Sequence, residues 1–171
     1  APAAQTGKLL ADIYPELAAT AGLASYDPCW TIMLGLEDDH GLGTAPLRDE
    51  AAGIALGAPE MTRSNQQSGL GAPALTIQAT GQWSQQHLQD GQQMVTESLC
   101  QIWQNLTGKP LGNISTAIAH RWLYAKVTTA APSKAPRLSN DGKLAIAGDW
   151  LGGPRVEQAF DSGQQAYRHL N

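Results

Sequence analysis

Asn113 to Lys126 alternates strictly, with Ile114, Thr116, Ile118, His120, Trp122 and Tyr124 on one face and Ser115, Ala117, Ala119, Arg121 and Leu123 on the other. A period of two sustained over that length reads as one long β-strand. A strand cannot pair its own backbone N–H and C=O groups, so this segment commits the chain to a sheet and requires neighbours. Cys29-Trp30-Thr31-Ile32-Met33-Leu34-Gly35-Leu36 is one: short, continuously apolar and bounded by Pro28 and Glu37-Asp38-Asp39, the profile of a strand buried on both faces. Ala51 to Ala58 and Ala74 to Thr80 read as two more, and the serine-, glutamine- and glycine-rich run Met61 to Pro73 between them reads as a loop.

Leu9, Leu10, Ile13, Tyr14 and Leu17 recur at helical spacing, which predicts a helix over about Gln5 to Ala21, with Pro15 opening a renewed turn and Gly22 as a stop. Trp83 to Leu106 reads as a second helix, since Leu88, Val95, Leu99, Ile102, Trp103 and Leu106 form one stripe and glutamines the other face. A short strand, Lys143 to Ala147, then leads through a glycine turn, Gly148 to Pro154, into a closing helix. Its stripe of Val156, Ala159, Phe160, Gly163, Ala166, Tyr167 and Leu170 is expected to be buried. This order predicts an α+β fold of α/β layers, a mixed β-sheet with covering helices.

At 171 residues the chain is of single-domain size and can bury roughly 70% of the surface its unfolded form exposes. Eleven basic residues against fifteen acidic ones give a net charge of −4 without a basic cluster, which argues against nucleic acid and anionic membrane as partners. No apolar run approaches the roughly 20 residues a membrane-spanning helix needs. Cys29 and Cys100 lie far apart and form no CxxC, so neither a disulfide framework nor structural zinc is expected, and a reducing, cytoplasmic setting is. The histidines at 40, 87, 120 and 169 show neither HxH nor HExxH spacing, so no metal site is expected. Cys29 on an apolar strand reads as core rather than as a nucleophile.

Leu144 to Gly163 stands apart. A short apolar run delivers Asp149 at its end, glycines allow close backbone approach, and a helix begins at once, aiming free N–H groups and a positive dipole end at what lies in front of it. The run Ala147 to Gly163 resembles the C-terminal flavin motif of the renalase-like branch of FAD-dependent amine oxidases. There a strand ends in Gly-Asp and the helix opens with Val-Glu-Gly-Ala and a later Ser-Gly. Pro28-Cys29-Trp30, the Trp83-Ser84 helix start and His120-Arg121-Trp122-Leu123-Tyr124-Ala125 match in the same order, so the resemblance spans essentially the whole chain.

The resemblance implies an FAD contact set of Gly148, Asp149, Trp150, Arg155, Val156 and Glu157. Asp149 would hold a ribityl hydroxyl, Gly148 would let the backbone approach the phosphate linkage, and the Val156 and Glu157 N–H groups would meet the pyrimidine edge of the flavin. His120, Trp122 and Tyr124 are the implied catalytic-face residues, positioning the donor more than reacting. The implied activity is hydride transfer from a dihydronicotinamide or amine donor to flavin, and then to oxygen. Two departures stand out: Gln158 occupies a position usually held by glycine, and Met61 to Gly69 follows the family's substrate loop only loosely.

No GxGxxG follows any strand, and Gly108-Lys109-Pro110 fails as a P-loop. The division expected is therefore 1–142 as a substrate-domain-like sheet with helices and 143–171 as the last strand, turn and helix of an FAD domain, with the N-terminal GxGxxG half as a missing partner. The chain alone is expected to bind FAD weakly or not at all and to be inactive, with Val156, Phe160 and the first helix as a surface for self-association. The competing expectation is a non-catalytic ligand- or protein-binding domain whose glycine turn is merely structural.

Overall fold

Pro15 has no N–H to continue a helix, so the N-terminal pattern divides into α1 (Ala3–Leu10) and α2 (Pro15–Ala21), with Pro15 at the first position of the second. In this computed structural model the chain is described apart from residues 39–41, 43–44, 60–72, 136 and 171. The expected loop at Met61 to Pro73 and His40 thus lie largely or wholly outside the described residues. The strands are β1 (Ser25–Leu36), β2 (Leu47–Asp49), β3 (Ile54–Pro59), β4 (Ala74–Ala79) and β5 (Ile114–Thr129). They form one sheet in the order β2-β3-β4-β1-β5.

The α+β expectation holds, but the sheet is antiparallel where a mixed one was expected. β1 pairs antiparallel with β4, as do β2 with β3 and β3 with β4. On β5, the Glu37 N–H donates to the Asn113 carbonyl while Tyr26 packs on Tyr124, so that pairing also runs antiparallel. β2 was not expected; three residues are too few to show alternation.

The helix expected over Trp83 to Leu106 is two, α3 (Gly81–Gln86) and α4 (Gln92–Thr107). Thr80 caps α3 by accepting from the Trp83 N–H at 3.2 Å. At the break, the His87 ring stacks on Trp83 with centroids 3.9 Å apart, and its Nδ1 lies 2.7 Å from Asp90 Oδ2. That side-chain bond and Gly91 favour a turn over continued helix. α4 ends at Gly108, whose φ of 67° is the left-handed conformation glycine adopts without strain.

The chain forms two compact units: one is the contiguous stretch Pro28–Leu123, and the other joins Ala1–Asp27 to Tyr124–Asn171. In the contiguous unit, Trp30, Ile32, Leu34 and Leu36 of β1 pack with Ile54, Leu75, Ile77 and with Val95, Leu99 and Trp103 of α4. Trp103 fills the space that a side chain at Gly57 would occupy, so helix and strand approach closely there. In the other unit, Ala3, Leu17 and Ala21 pack with Val127, Ile146, Trp150 and Leu151.

The expected strand Lys143 to Ala147 is replaced by one arm of a tight hairpin. Leu138 bridges Ala145, the Ser139 N–H donates to the Leu144 carbonyl, and the Ile146 N–H donates to the Arg137 carbonyl. The Ser139 hydroxyl donates to Asp141 and accepts from the Leu144 N–H, closing the turn locally rather than extending a sheet. The closing helix, α5, runs Val156–Leu170 as expected. Its orientation is the reverse of the expectation: Val156 is 84% exposed, Phe160 64% and Tyr167 69%, whereas Ser162 is buried.

Candidate functional site

The hairpin arm delivers the chain into Gly148, after which Asp149 to Leu151 form a single 3-10 turn. Trp150 and Leu151 are buried in the adjoining core and fix that turn, which leaves Asp149 half-buried beside it. The Asp149 carbonyl accepts from the N–H groups of both Gly152 and Gly153, and Gly153 has a φ of 130° that a residue with a side chain would resist. The first intrahelical bonds of α5 are made by Gln158 and Ala159 to the Arg155 carbonyl. The N–H groups of Val156 and Glu157 precede them, at the positive end of the helix dipole.

Gly148 has an internal task. The Trp150 indole lies where its side chain would be, and the Ser162 hydroxyl accepts from its N–H at 2.9 Å and lies 3.0 Å from its carbonyl oxygen. Both backbone groups of Gly148 are thus engaged within the protein. Gln158 packs its amide against Gly152, filling the space that a side chain there would need.

Two polar groups at the turn stay unanswered. The Asp149 carboxylate has no hydrogen-bond partner among the described residues, and the Trp150 Nε1–H is buried without an acceptor. Such a buried orphan costs about 1–3 kcal/mol.

Tyr26, which the sequence pattern did not single out, stands at this turn. Its ring meets Tyr124 edge-on at 5.5 Å and its hydroxyl accepts from the Ala3 N–H at 3.1 Å. Burial raises its phenol above the ordinary value, partly offset by the Ala3 bond, and the charge of Asp149 adds to the rise. Tyr26, Tyr124 and Asp149 are therefore neighbours.

On β5, His120 and Trp122 share an exposed face, with ring centroids 4.3 Å apart in an edge-on arrangement. Arg121 points to the other side, where its guanidinium lies 5.7 Å over the Trp30 ring and donates to the Leu88 carbonyl. Trp30 is itself held by its N–H to the Ser84 hydroxyl at 2.9 Å and its indole N–H to the His87 carbonyl at 3.0 Å. The aromatic pair thus stands on a strand whose reverse side is anchored. Cys29 is partly buried, its thiol pushed up by burial, with Ala79 and Thr31 as its contacts.

Among the described residues, no three histidine, cysteine or acidic side chains lie close enough to hold a metal ion. Nor, among them, is any helix long and apolar enough to cross a membrane.

No family model matches the chain. Among solved structures it is similar to a protein described as "Putative protoporphyrinogen oxidase" from Exiguobacterium sp. 255-15, with a TM-score of 0.73 and 14% sequence identity. The two share a fold. The likeness covers 99% of this chain and 39% of that one, so the present chain spans well under half the length of the structure it matches.

Proposed function

We propose that this chain forms the substrate-side sheet and the cofactor-facing turn and helix of a flavin-dependent oxidase of the renalase-like kind, acting on a dihydronicotinamide or amine donor. The observation that carries this reading is the shared fold, over 99% of the chain, with a protein described as an oxidase. The residues at the turn fit FAD. Among the described residues Asp149 offers a half-buried carboxylate without a partner, suited to accept from a ribityl hydroxyl, and α5 opens with the N–H groups of Val156 and Glu157, which have no partner within the helix. Gly148 contributes shape rather than hydrogen bonds, because Ser162 holds its backbone. Trp150 props the turn from within the core, and Arg155 supplies the carbonyl that starts α5.

FAD bound there would supply a two-electron acceptor for the hydride and then a donor to oxygen, with hydrogen peroxide as product. His120 and Trp122 offer an exposed aromatic face on which a planar donor can stack, and Tyr124 is fixed by Tyr26. None of these roles requires proton transfer by the side chain. The reading also calls for a GxGxxG-bearing polypeptide, which the exposed Val156, Phe160 and Leu170 of α5 are suited to meet.

The test is the visible absorption spectrum of the chain purified with FAD, alone and co-expressed with polypeptide encoded directly upstream of Ala1. A yellow cofactor retained through gel filtration supports the reading, and Asp149→Ala is then expected to weaken FAD binding roughly ten- to a hundredfold, the worth of a hydrogen bond to a charged group. Colourless protein in both preparations overturns it and leaves the non-catalytic binding domain as the better account.

A further inference from the structure

α5 turns its polar side toward a cleft of about 460 Å³ on the unit that contains both chain ends. Gln158, Asp161, Gln165 and His169, spaced three or four apart, form one wall, and Ser133 and Arg137 belong to the facing segment. A helix that points Val156 and Phe160 into solvent while lining a recess with amides and a carboxylate gives that recess a polar purpose.

Arg137 is the cation of this recess. It donates to Gln165 Oε1 at 3.0 Å and to the Leu151 carbonyl at 2.7 Å, which uses two of the five N–H groups of a guanidinium. Its Nε–H is shut away from solvent without an acceptor, and it makes no ion pair with a described residue. A half-buried guanidinium held only by neutral oxygens lacks the anion that would offset its desolvation. Asp161 lines the same cleft. Its charge disfavours a dianion such as a phosphate monoester, and its oxygens are acceptors for a donor on the ligand.

We propose that this cleft binds a small carboxylate that also carries a hydroxyl or ammonium group, its carboxylate paired with Arg137 and its donor directed to Asp161. A planar carboxylate matches the fork of a guanidinium, and Gln158, Ser133 and His169 border the remaining space. The site uses none of the residues assigned to flavin, although Leu151 and Gly152 of the same turn border it.

The experiment is a titration of the 171-residue chain with glycolate, glycine, acetate and inorganic phosphate, followed through the Arg137 Nε–H resonance and by calorimetry. Glycolate and glycine are expected to move that resonance and to bind at least roughly fivefold more tightly than acetate or phosphate. Asp161→Asn should leave the fold intact and erase the preference over acetate, while Arg137→Gln should abolish binding of all four. Arg137 also ties Leu151 to α5, so the Asp161 variant decides the matter if the Arg137 variant unfolds. The proposal is overturned if neither glycolate nor glycine moves the resonance at about 50 mM, if phosphate binds more tightly than both, or if Asp161→Asn keeps the preference unchanged.

Discussion

α4 and α5 are nearly equal in length, 16 and 15 residues, and both carry an apolar stripe, yet they use it oppositely. α4 buries Val95, Leu99 and Trp103 against the sheet, whereas α5 holds Val156, Phe160 and Leu170 out and buries Ser162. Helical periodicity establishes that one side of a helix is apolar. What covers that side depends on the rest of the fold, which α4 finds within its own unit and α5 does not.

The contrast can be broken at four points. Trp103→Ala should destabilise the chain by about 3–5 kcal/mol in urea unfolding, because it empties the space between α4 and Gly57; a loss near zero would mean that α4 is not anchored as described. Ser162→Ala should cost about 1–3 kcal/mol by the same measure, since it strips the Gly148 N–H of its acceptor in a buried setting and loosens α5 from the turn.

Asp141 supplies a smaller, pH-dependent effect. Its bond from the Ser139 hydroxyl and then that from the Lys143 N–H hold its carboxyl below the ordinary value. A depressed folded-state value stabilises the fold above the unfolded value near 3.8 and loses that stabilisation as pH falls through the folded one. Melting temperature followed from pH 5 to 2 should therefore fall less in Asp141→Asn than in the parent chain, and equal slopes would remove Asp141 from the account. Smallest is Phe160→Gln on the exposed side of α5, expected to shift stability by less than about 0.5 kcal/mol while reducing association in sedimentation. A loss comparable to that of Trp103→Ala would show that the side chain is packed after all.

What could be read beforehand follows the same division. β1, β4 and β5 were legible because long alternating or continuously apolar runs have few other solutions, and Val95, Leu99 and Trp103 because their partners share the chain. β2 was not, being three residues with Arg48 in the middle. Nor was the hairpin at 138–145, where the Ser139 and Asp141 side chains outcompete strand propensity. At the candidate site, the strand-turn-helix pattern and the family resemblance singled out Asp149, Trp150, Val156 and Glu157, whose role toward flavin belongs to the proposal. Tyr26 was missed, since its importance lies in a contact with Tyr124 far away in sequence, and Ser162 stood only within the family motif without a role, which its bonds to Gly148 supply. Arg137 carried no motif, and only its missing counter-charge in three dimensions marks it.

The division into units has a consequence for synthesis. Residues 28–123 are contiguous, so the side chains of that core, from Trp30 to Ala119, are all synthesised before Tyr124 is added. The other unit closes only when the segment from Tyr124 onward returns to Ala1–Asp27, since Ala3 and Leu17 share a core with Trp150 and Leu151. During elongation Ala3, Leu17 and Ala21 of α1 and α2 thus wait without their core partners, and translation pauses beyond Leu123 would lengthen the time they spend uncovered.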